Sequence, residues 1–366
     1  MKNKVHKIFI SATGQNDGKT SVSLGLICAL KERFQKVGFI KPVGQRYLVE
    51  QGHKVDEDSV LIEKVCGIEC KIQDMSPIAI EKGFTKKYIL KGSNKELTKK
   101  IKNSFEAVSK DKDLVVIEGT GHAGVGSVFG LSNAAVAKLL DSKVVIVASG
   151  GIGRPIDEIM LSKALFEKEK VEVIGAIINK VKADKYEKVN KIVRMGLKKR
   201  GLKVLGVIPY VRSLSEPTVG QVLEELGFEL LAGKNGIGVY IDKILVGAMA
   251  PHDALSYFSD RCLVITPGDR EDLILAVVGF QMDRAKEGLK IAGIVLTGGI
   301  KPHQTIIDLV RRAQIPLLLA KADTYSVASS VHDLTVKIKP EDCQKTRMAK
   351  DIVEKYVDIE MLLKQL

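Results

Sequence analysis

The sequence predicts an α/β protein, with a doubly wound, mainly parallel sheet followed by a smaller α/β domain. Apolar runs typical of buried parallel strands alternate with amphipathic stretches of helical length. The first apolar run leads through a short glycine-containing loop into a helix of small residues, a connection typical of such sheets. The predicted strands of the first domain are 6–11, 37–42, 113–118, 143–148, 173–179 and 203–208, and its predicted helices are 21–34, 94–109, 133–140, 157–169 and 186–199.

A second series of strands and helices begins after the polar, turn-like residues 210–216. We expect domains at 1–212 and 216–340, followed by a C-terminal helical segment at 341–366. The predicted strands of the second domain are 243–246, 261–266, 293–296, 315–319 and 334–338, and the predicted helices are 218–226, 271–287, 304–313 and 347–363.

The loop at residues 13–18 indicates a P-loop NTPase-like domain. Backbone N–H groups of such a loop, together with the positive end of the following helix, point at polyphosphate oxygens. Lys19 would add a positive charge at the outer phosphates, and the Thr20 hydroxyl would take one place on Mg²⁺. The match has one fault, because Thr13 stands where the first glycine is expected and Gly14 comes one place late.

Polar residues at other strand ends should lie beside this loop, because ligands bind beyond the carboxyl ends of parallel strands. Lys41 ends the second strand and would there meet phosphate or a developing anion, although a surface lysine is the alternative. Glu118 ends the third strand before Gly119 and suits Mg²⁺ coordination. Asp58 is a candidate second carboxylate, but its acidic run is also typical of a helix N-terminus.

Further strand ends carry less specific candidates. The Asn179 amide could offer a donor and an acceptor to an adenine edge. His122 could contact a phosphate or substrate, or cap its own glycine turn. In the second domain, the glycine-containing loops at 266–270 and 297–299 either make tight turns or bind an anion.

Composition limits the function classes. The length of 366 residues and the 45% hydrophobic content indicate a folded two-domain protein. The net charge of +13 would attract anionic small molecules, but lysines at 82–112 are interspersed with glutamates and lack an aromatic ladder, so we expect no nucleic-acid binding. Five scattered cysteines predict buried thiols in a reducing compartment. Without an apolar run of membrane-spanning length, we expect a cytoplasmic protein that binds no membrane.

Residues 1 to about 212 resemble the dethiobiotin synthetase family of P-loop enzymes, through residues 13–20, 41–43, 118–121 and Asn179. Members of that family also lack the first glycine. The resemblance implies ATP and Mg²⁺ as ligands, with Lys19 and Lys41 as catalytic residues on phosphates or an acyl phosphate. It also implies that Thr20, Asp58 and Glu118 organise Mg²⁺, while Asn179 reads adenine. The expected nucleotide-binding residues are Thr13, Gly14, Asn16, Asp17, Gly18, Lys19, Thr20, Ser21, Gly119, Asn179 and Pro209.

Residues from about 216 to 336 resemble the DRTGG domain, through residues 246–249, 268–270 and 297–299. This pair of domains is found at the amino end of long phosphotransacetylases, where it is thought to be regulatory. Residues 44–47 replace the small residues that help to hold diaminopelargonate in the synthetases, and His122 replaces a glycine, so we do not expect dethiobiotin synthesis. Because the sequence ends at Leu366, we expect no acetyltransferase catalytic domain and no acetyl transfer by this chain alone.

Three functional hypotheses follow from these patterns. The first is a nucleotide-responsive regulatory module. The alternative is an ATP-dependent enzyme that activates a carboxylate or carbamate through an acyl phosphate. A third is a subunit that docks on a separate phosphotransacetylase. In each case we expect a homo-oligomer that binds a nucleotide and a small anionic metabolite.

Overall fold

Apolar runs in the first part of the chain form a six-stranded sheet. The computed structural model describes residues 5–284, 287–334 and 336–366. The chain divides into a first unit, Met1–Leu214 with Ile338–Leu366, and a second unit, Ser215–Lys337. Strands of the first unit are β1 (His6–Ala12), β2 (Val37–Ile40), β3 (Val43–Gly44), β4 (Tyr47–Glu50), β5 (His53–Asp56), β6 (Ile78–Ala79), β7 (Leu114–Glu118), β8 (Lys143–Ser149), β9 (Val173–Val181) and β10 (Val204–Pro209).

The main sheet has the order β10-β9-β8-β1-β7-β2, and all its neighbouring strands are parallel. This confirms the predicted fold class. The strand order reverses beside β1, and sheets of this kind bind ligands beyond the carboxyl ends of the strands at such a point. Side chains on both faces of β1 are inaccessible to solvent, as at Ile8, Phe9 and Ile10, which explains why the strand reads as a continuous apolar run.

Side-chain caps fix where several helices of this unit begin. The Asp56 side chain accepts the N–H of Asp58, while Ser93 and Ser132 cap two later helices in the same way. The helices are α1 (Lys19–Lys31), α2 (Glu57–Cys66), α3 (Ile72–Met75), α4 (Phe84–Lys91), α5 (Asn94–Ser109), α6 (Asn133–Leu139), α7 (Gly153–Lys168) and α8 (Tyr186–Lys198).

The second unit contains a five-stranded sheet with the order β11-β15-β14-β13-β12. Its pairs are parallel except that β11 runs antiparallel to β15. Its elements are β11 (Glu229–Ala232), β12 (Lys243–Val246), β13 (Cys262–Pro267), β14 (Gly293–Thr297), β15 (Leu317–Leu319), α9 (Val219–Leu226), α10 (Pro251–Ala254), α11 (Glu271–Arg284), α12 (Gln304–Arg312) and α13 (Thr324–His332).

Two predictions in this unit differ from the structure. The predicted strand 334–338 includes Thr335, which lies outside the described residues, and its other members are not in a strand. The strand at this edge of the sheet is β11. The sequence did not indicate it, because its residues are mostly half-buried and do not alternate between buried and exposed. The predicted helix 271–287 ends at Arg284, and residues 285–286 lie outside the described part.

The C-terminal residues, expected as a separate segment at 341–366, pack within the first unit together with residues 338–340. The single helix predicted at 347–363 is two helices, α14 (Cys343–Tyr356) and α15 (Ile359–Leu363). Val357 between them is extended and bridges to Gly206 of β10, which interrupts the helix. No helix among the described residues is long and apolar enough to span a membrane.

Helix α14 packs against α1 at a glycine. A Cβ added at Gly25 would lie 2.4 Å from a Val353 methyl group and 2.6 Å from the carbonyl oxygen of Ala349. The C-terminal helix therefore approaches the helix that follows the 13–18 loop as closely as two backbones allow.

We expect Gly25→Ala to lower the free energy of unfolding of the first unit by about 1–3 kcal/mol, because the added methyl group overpacks this contact. Gly279→Ala is the matched control, since nothing lies within 4 Å of its Cβ position. That substitution should stabilise α11 by about 0.5–1 kcal/mol. Scanning calorimetry measures both, and a stabilised Gly25→Ala variant would contradict the close contact.

Candidate functional site

The loop at residues 13–18 connects β1 to α1 as the sequence predicts. Gly18 precedes the first residue of α1 with a φ of 82°, and Asn16 also has a left-handed φ, of 63°. A Cβ on Gly18 would lie 2.2 Å from the Asn179 side-chain nitrogen. Glycine at this position is therefore required both by the backbone conformation and by the approach of β9.

The Asp17 carboxylate already occupies hydrogen-bond donors of the loop. Its Oδ2 accepts the Thr13 hydroxyl at 2.8 Å and the Gly14 N–H at 2.6 Å. Its Oδ1 accepts the Ser149 hydroxyl at 2.5 Å, from the end of β8. A buried anionic group is therefore bound by the same kind of backbone N–H that a phosphate would use.

Two residues of β9 hold the loop from the other side. Asn179 Nδ2 donates to the Asp17 carbonyl oxygen at 2.9 Å, and its Oδ1 accepts the N–H of Lys180. Lys180 Nζ donates to the Asn16 carbonyl oxygen at 2.6 Å, and burial lowers the pKa of this ammonium group. Contact of Asn179 with adenine stays a prediction, whereas its contact with the loop is observed.

Lys41, predicted to contact phosphate, lies among three carboxylates. Its Nζ is 2.9 Å from Asp56 Oδ1 and 3.6 Å from Glu118 Oε1, and it donates a hydrogen bond to Asp58 Oδ2. All four side chains are at most 4% exposed. We call Lys41, Asp56, Asp58 and Glu118 the carboxylate–lysine cluster. Of these, sequence reasoning missed Asp56 as a member of the site.

The cluster adjoins the first turn of α1. Glu118 Oε1 lies 3.4 Å from the Thr20 hydroxyl oxygen and 3.9 Å from Lys19 Nζ. Two of the predicted metal ligands, Asp58 and Glu118, thus contact Lys41, and the third, Thr20, contacts Glu118. Ser149, like Asp56, was missed, and its position at the end of β8 is the signal that could have found it.

Residues 44–56 contain a hairpin that the sequence did not predict, and this hairpin places Asp56 and Asp58 beside Lys41. Strands β4 and β5 form an antiparallel hairpin that ends at Asp56, and α2 begins at the next residue. Asp56 Oδ1 accepts the N–H of Asp58, so one aspartate orients the other. A Cβ on Gly44 would lie 2.5 Å from Asp56 Oδ2, so only glycine leaves room for this carboxylate.

The cluster carries more negative than positive charge. Burial raises the pKa of Glu118, as does the Asp58 carboxylate, against the opposing effects of Lys41 and Lys19. Burial alone would lower the pKa of Lys41, but the three carboxylates hold it well above its ordinary value. Asp56 Oδ2 and Glu118 Oε2 are buried without a hydrogen-bond partner. Such oxygens are suited to a hard divalent cation.

The described residues contain no group of three His, Cys, Asp or Glu side chains arranged as a complete metal site. A Mg²⁺ ion at the cluster would therefore need the Thr20 hydroxyl, with water or phosphate oxygens in the remaining places. The predicted ligand types fit that requirement, since Mg²⁺ keeps several waters and shares few protein ligands.

The remaining candidates make local contacts. His122 Nδ1 accepts the Gly124 N–H at 3.2 Å, so this side chain caps its own turn. In the second unit, a Cβ on Gly268 would lie 1.8 Å from the Ile300 carbonyl oxygen, so the turn requires glycine. Arg270 donates to the Met249 carbonyl oxygen at 2.9 Å and pairs with Asp272. Anion binding by these loops stays a prediction.

Family models match almost the whole chain. A model described as an AAA domain matches residues 6–218, and the DRTGG domain model matches residues 221–334. The phosphate acetyltransferase of Nitratidesulfovibrio vulgaris is 28% identical over 96% of this chain and 50% of its own length. That of Pseudomonas putida is also 28% identical, over 96% of this chain and 50% of its own length. The chain spans about half the length of the curated relatives it matches.

Solved structures share parts of the fold at low similarity. A putative plasmid partition protein from Borrelia burgdorferi bound to AMPPNP is 17% identical, with a TM-score of 0.40, over 58% of this chain and 89% of its own. The CBS and DRTGG domains of Clostridium perfringens pyrophosphatase with diadenosine tetraphosphate are 21% identical, with a TM-score of 0.28, over 34% of this chain and 50% of their own.

The charge balance of the cluster predicts opposite effects of two substitutions at neutral pH. Lys41→Met should destabilise the first unit by about 3–5 kcal/mol, because buried carboxylates lose their counter-ion. Glu118→Gln should stabilise the ligand-free protein, because it removes a buried charge.

The stabilisation by Glu118→Gln should depend on pH. The pKa of Glu118 is higher in the folded protein than its ordinary value of 4.5, which applies to the unfolded chain. Its carboxyl therefore favours the folded state at pH values below 4.5, and this contribution is lost as the pH rises through the folded-state pKa. Above that folded-state pKa the wild type should be less stable than at low pH, whereas the Gln variant should not lose this stability. Urea unfolding between pH 4 and 8 measures the difference, and a gain that is equal at all pH values would contradict the raised pKa.

Proposed function

Because the chain belongs to the AAA domain family, we propose that its first unit binds ATP with Mg²⁺ and acts as a nucleotide-responsive regulatory module. The observation that carries this proposal is the carboxylate–lysine cluster beside the first turn of α1, with Glu118 Oε1 3.4 Å from the Thr20 hydroxyl. Phosphates at the loop would bring negative charge to a site already rich in carboxylates. A divalent cation between the phosphates and the carboxylates would offset the repulsion between these negative charges.

Each residue has a separate role in this proposal. Lys19 and the loop N–H groups bind phosphate oxygens. Thr20, Asp58 and Glu118 hold Mg²⁺ directly or through water, and the metal neutralises phosphate charge when bound. Lys41 forms ion pairs with the carboxylates and holds them in position. The other predicted nucleotide contacts, including Asn179 and Pro209, belong to the same proposal, except that the Asp17 carboxylate opposes the phosphates.

The ion pairs of Lys41 favour regulation over catalysis. An ammonium group surrounded by three carboxylates is committed to them and is not directed at a substrate phosphate. We propose that this chain corresponds to the N-terminal region of the phosphate acetyltransferases that it resembles. Nucleotide occupancy would then be passed to the DRTGG domain, or to a separate phosphotransacetylase on which a cytoplasmic homo-oligomer docks. Co-purification with that enzyme tests the docking.

A second candidate function is an ATP-dependent ligase that forms an acyl phosphate. The observation that favours it is that Lys41 Nζ lies 3.6 Å from Glu118 Oε1 beside the loop, so the two charged groups that phosphoryl transfer would use are both present there. Phosphate release stimulated by one small carboxylate, carbamate or amine would decide for the enzyme. Slow hydrolysis that is indifferent to every added metabolite would decide for the regulatory module.

We expect Lys19→Ala to weaken ATP·Mg²⁺ binding by about 100-fold, because a hydrogen bond to a charged group contributes about 1.5–3 kcal/mol. Isothermal titration calorimetry of the full chain measures the affinity. Lys100→Ala, on the exposed face of α5, is the matched control for loss of one positive charge. Unchanged affinity in Lys19→Ala would refute the assignment of the site.

Asp17→Asn should bind ATP·Mg²⁺ about tenfold more tightly than the wild type. The amide keeps an acceptor for the Gly14 N–H, but it removes a negative charge that repels phosphate by an energy on the order of 1–2 kcal/mol. Ser149→Ala controls for the lost hydrogen bond at Oδ1 and keeps the charge. Weaker binding by Asp17→Asn with unchanged thermal stability would mean that the carboxylate assists the ligand rather than opposing it.

A further inference from the structure

Two cysteines face each other where α1 packs against α2. Cys28 Sγ, on α1, lies 3.7 Å from Cys66 Sγ, on the last residue of α2. Cys66 is buried, whereas Cys28 is partly accessible to solvent. Both are free thiols, and the proposed ATP site uses neither. The two sulfur atoms are near van der Waals contact, and a disulfide would require them to approach to about 2.0 Å.

The surroundings of the pair favour a thiolate at Cys28. The hydrogen bond with Cys66 lowers the pKa of Cys28 to about 7 against the effect of burial, and the ammonium group of Lys350 adds to the lowering. The same hydrogen bond and burial raise the pKa of Cys66. Since the thiolate is the nucleophile, Cys28 would react first and Cys66 second.

The backbone around Cys66 is tied to α1. Lys31 Nζ, at the end of α1, donates hydrogen bonds to the carbonyl oxygens of Cys66 and Gly67. This contact holds the end of α2 against α1, so the approach of the two sulfur atoms does not depend on a mobile loop. A resolving thiol that is held beside an accessible one is the arrangement of a redox-sensitive cysteine pair.

We propose that Cys28 and Cys66 form a reversible oxidation site for hydroperoxides. The Cys28 thiolate attacks the peroxide, the O–O bond breaks, and Cys28 becomes a sulfenic acid while the peroxide leaves as water or an alcohol. The Cys66 sulfur then attacks the Cys28 sulfur, the S–O bond breaks, and water leaves. Two thiols and one hydroperoxide thus yield one disulfide with water and the reduced peroxide, and a thiol reductant reverses the reaction.

The disulfide would cross-link α2, which carries Asp58 of the carboxylate–lysine cluster, to α1, whose first turn contacts Glu118 of that cluster. Cys28 lies about two and a half turns after Lys19 on α1, and Cys66 lies about two turns after Asp58 on α2. The two cysteines lie at comparable distances from the site along their helices, so the bond would fix the spacing between α1 and α2. It would also close a loop between residues 38 positions apart, which restricts the unfolded chain.

The test treats the reduced full chain with stoichiometric hydrogen peroxide, followed by alkylation, proteolysis without reductant and mass spectrometry. We expect a linked pair of peptides containing Cys28 and Cys66, two hydrogen atoms lighter than the free peptides, in a chain that migrates as a monomer. Dithiothreitol should abolish the link. The melting temperature of the oxidised protein should exceed that of the reduced protein.

Variants separate the two roles. Cys66→Ser should accumulate a sulfenic acid at Cys28 that dimedone traps, whereas Cys28→Ser should yield none at Cys66. Cys70→Ser is the matched control, because burial raises the pKa of the Cys70 thiol and its sulfur contacts a backbone carbonyl instead. The proposal is overturned if both thiols of the wild type stay alkylatable while exposed Cys343 is oxidised, or if the disulfide joins two chains.

Discussion

The candidate site depends on the burial of one ammonium group, that of Lys41, among three carboxylates. Burying ionised carboxylates side by side is costly unless a positive charge compensates them. Lys41 provides that charge and so joins the end of β2 to the hairpin that leads into α2 and to the end of β7. Because Glu118 also contacts Thr20 and Lys19, the same ion pairs position the start of α1.

The 13–18 loop is held by its surroundings as well as by its own sequence. Side chains from the ends of β8 and β9 bond the loop, and α14 packs against α1 at Gly25. Supporting contacts of this kind keep a binding loop in one conformation before a ligand arrives. The C-terminal helix therefore contributes to the site although it lies far away in sequence.

The sequence predicted the parallel sheet and the positions of Lys19, Thr20 and Glu118, because buried strands read as apolar runs and parallel strand ends share one edge. It did not predict the hairpin that ends at Asp56, since short half-exposed strands carry no continuous pattern. Asp56, one of the three carboxylate partners of Lys41, was missed for the same reason. The break at Val357 was also missed, because it arises from a tertiary bridge to Gly206 rather than from a local helix stop.

The charge distribution has a consequence for how ligands would bind in the proposed complex. Asp17 occupies a loop N–H, and Asp56 and Glu118 each retain a buried oxygen without a hydrogen bond, so the ligand-free protein carries an electrostatic cost. Phosphate alone would add to this cost, whereas a divalent cation would reduce it. In the proposed complex each ligand would therefore raise the affinity for the other, and thermodynamic linkage requires the same factor in both directions. Under the proposed function, a site built in this way would respond to the nucleotide–metal complex rather than to either component alone.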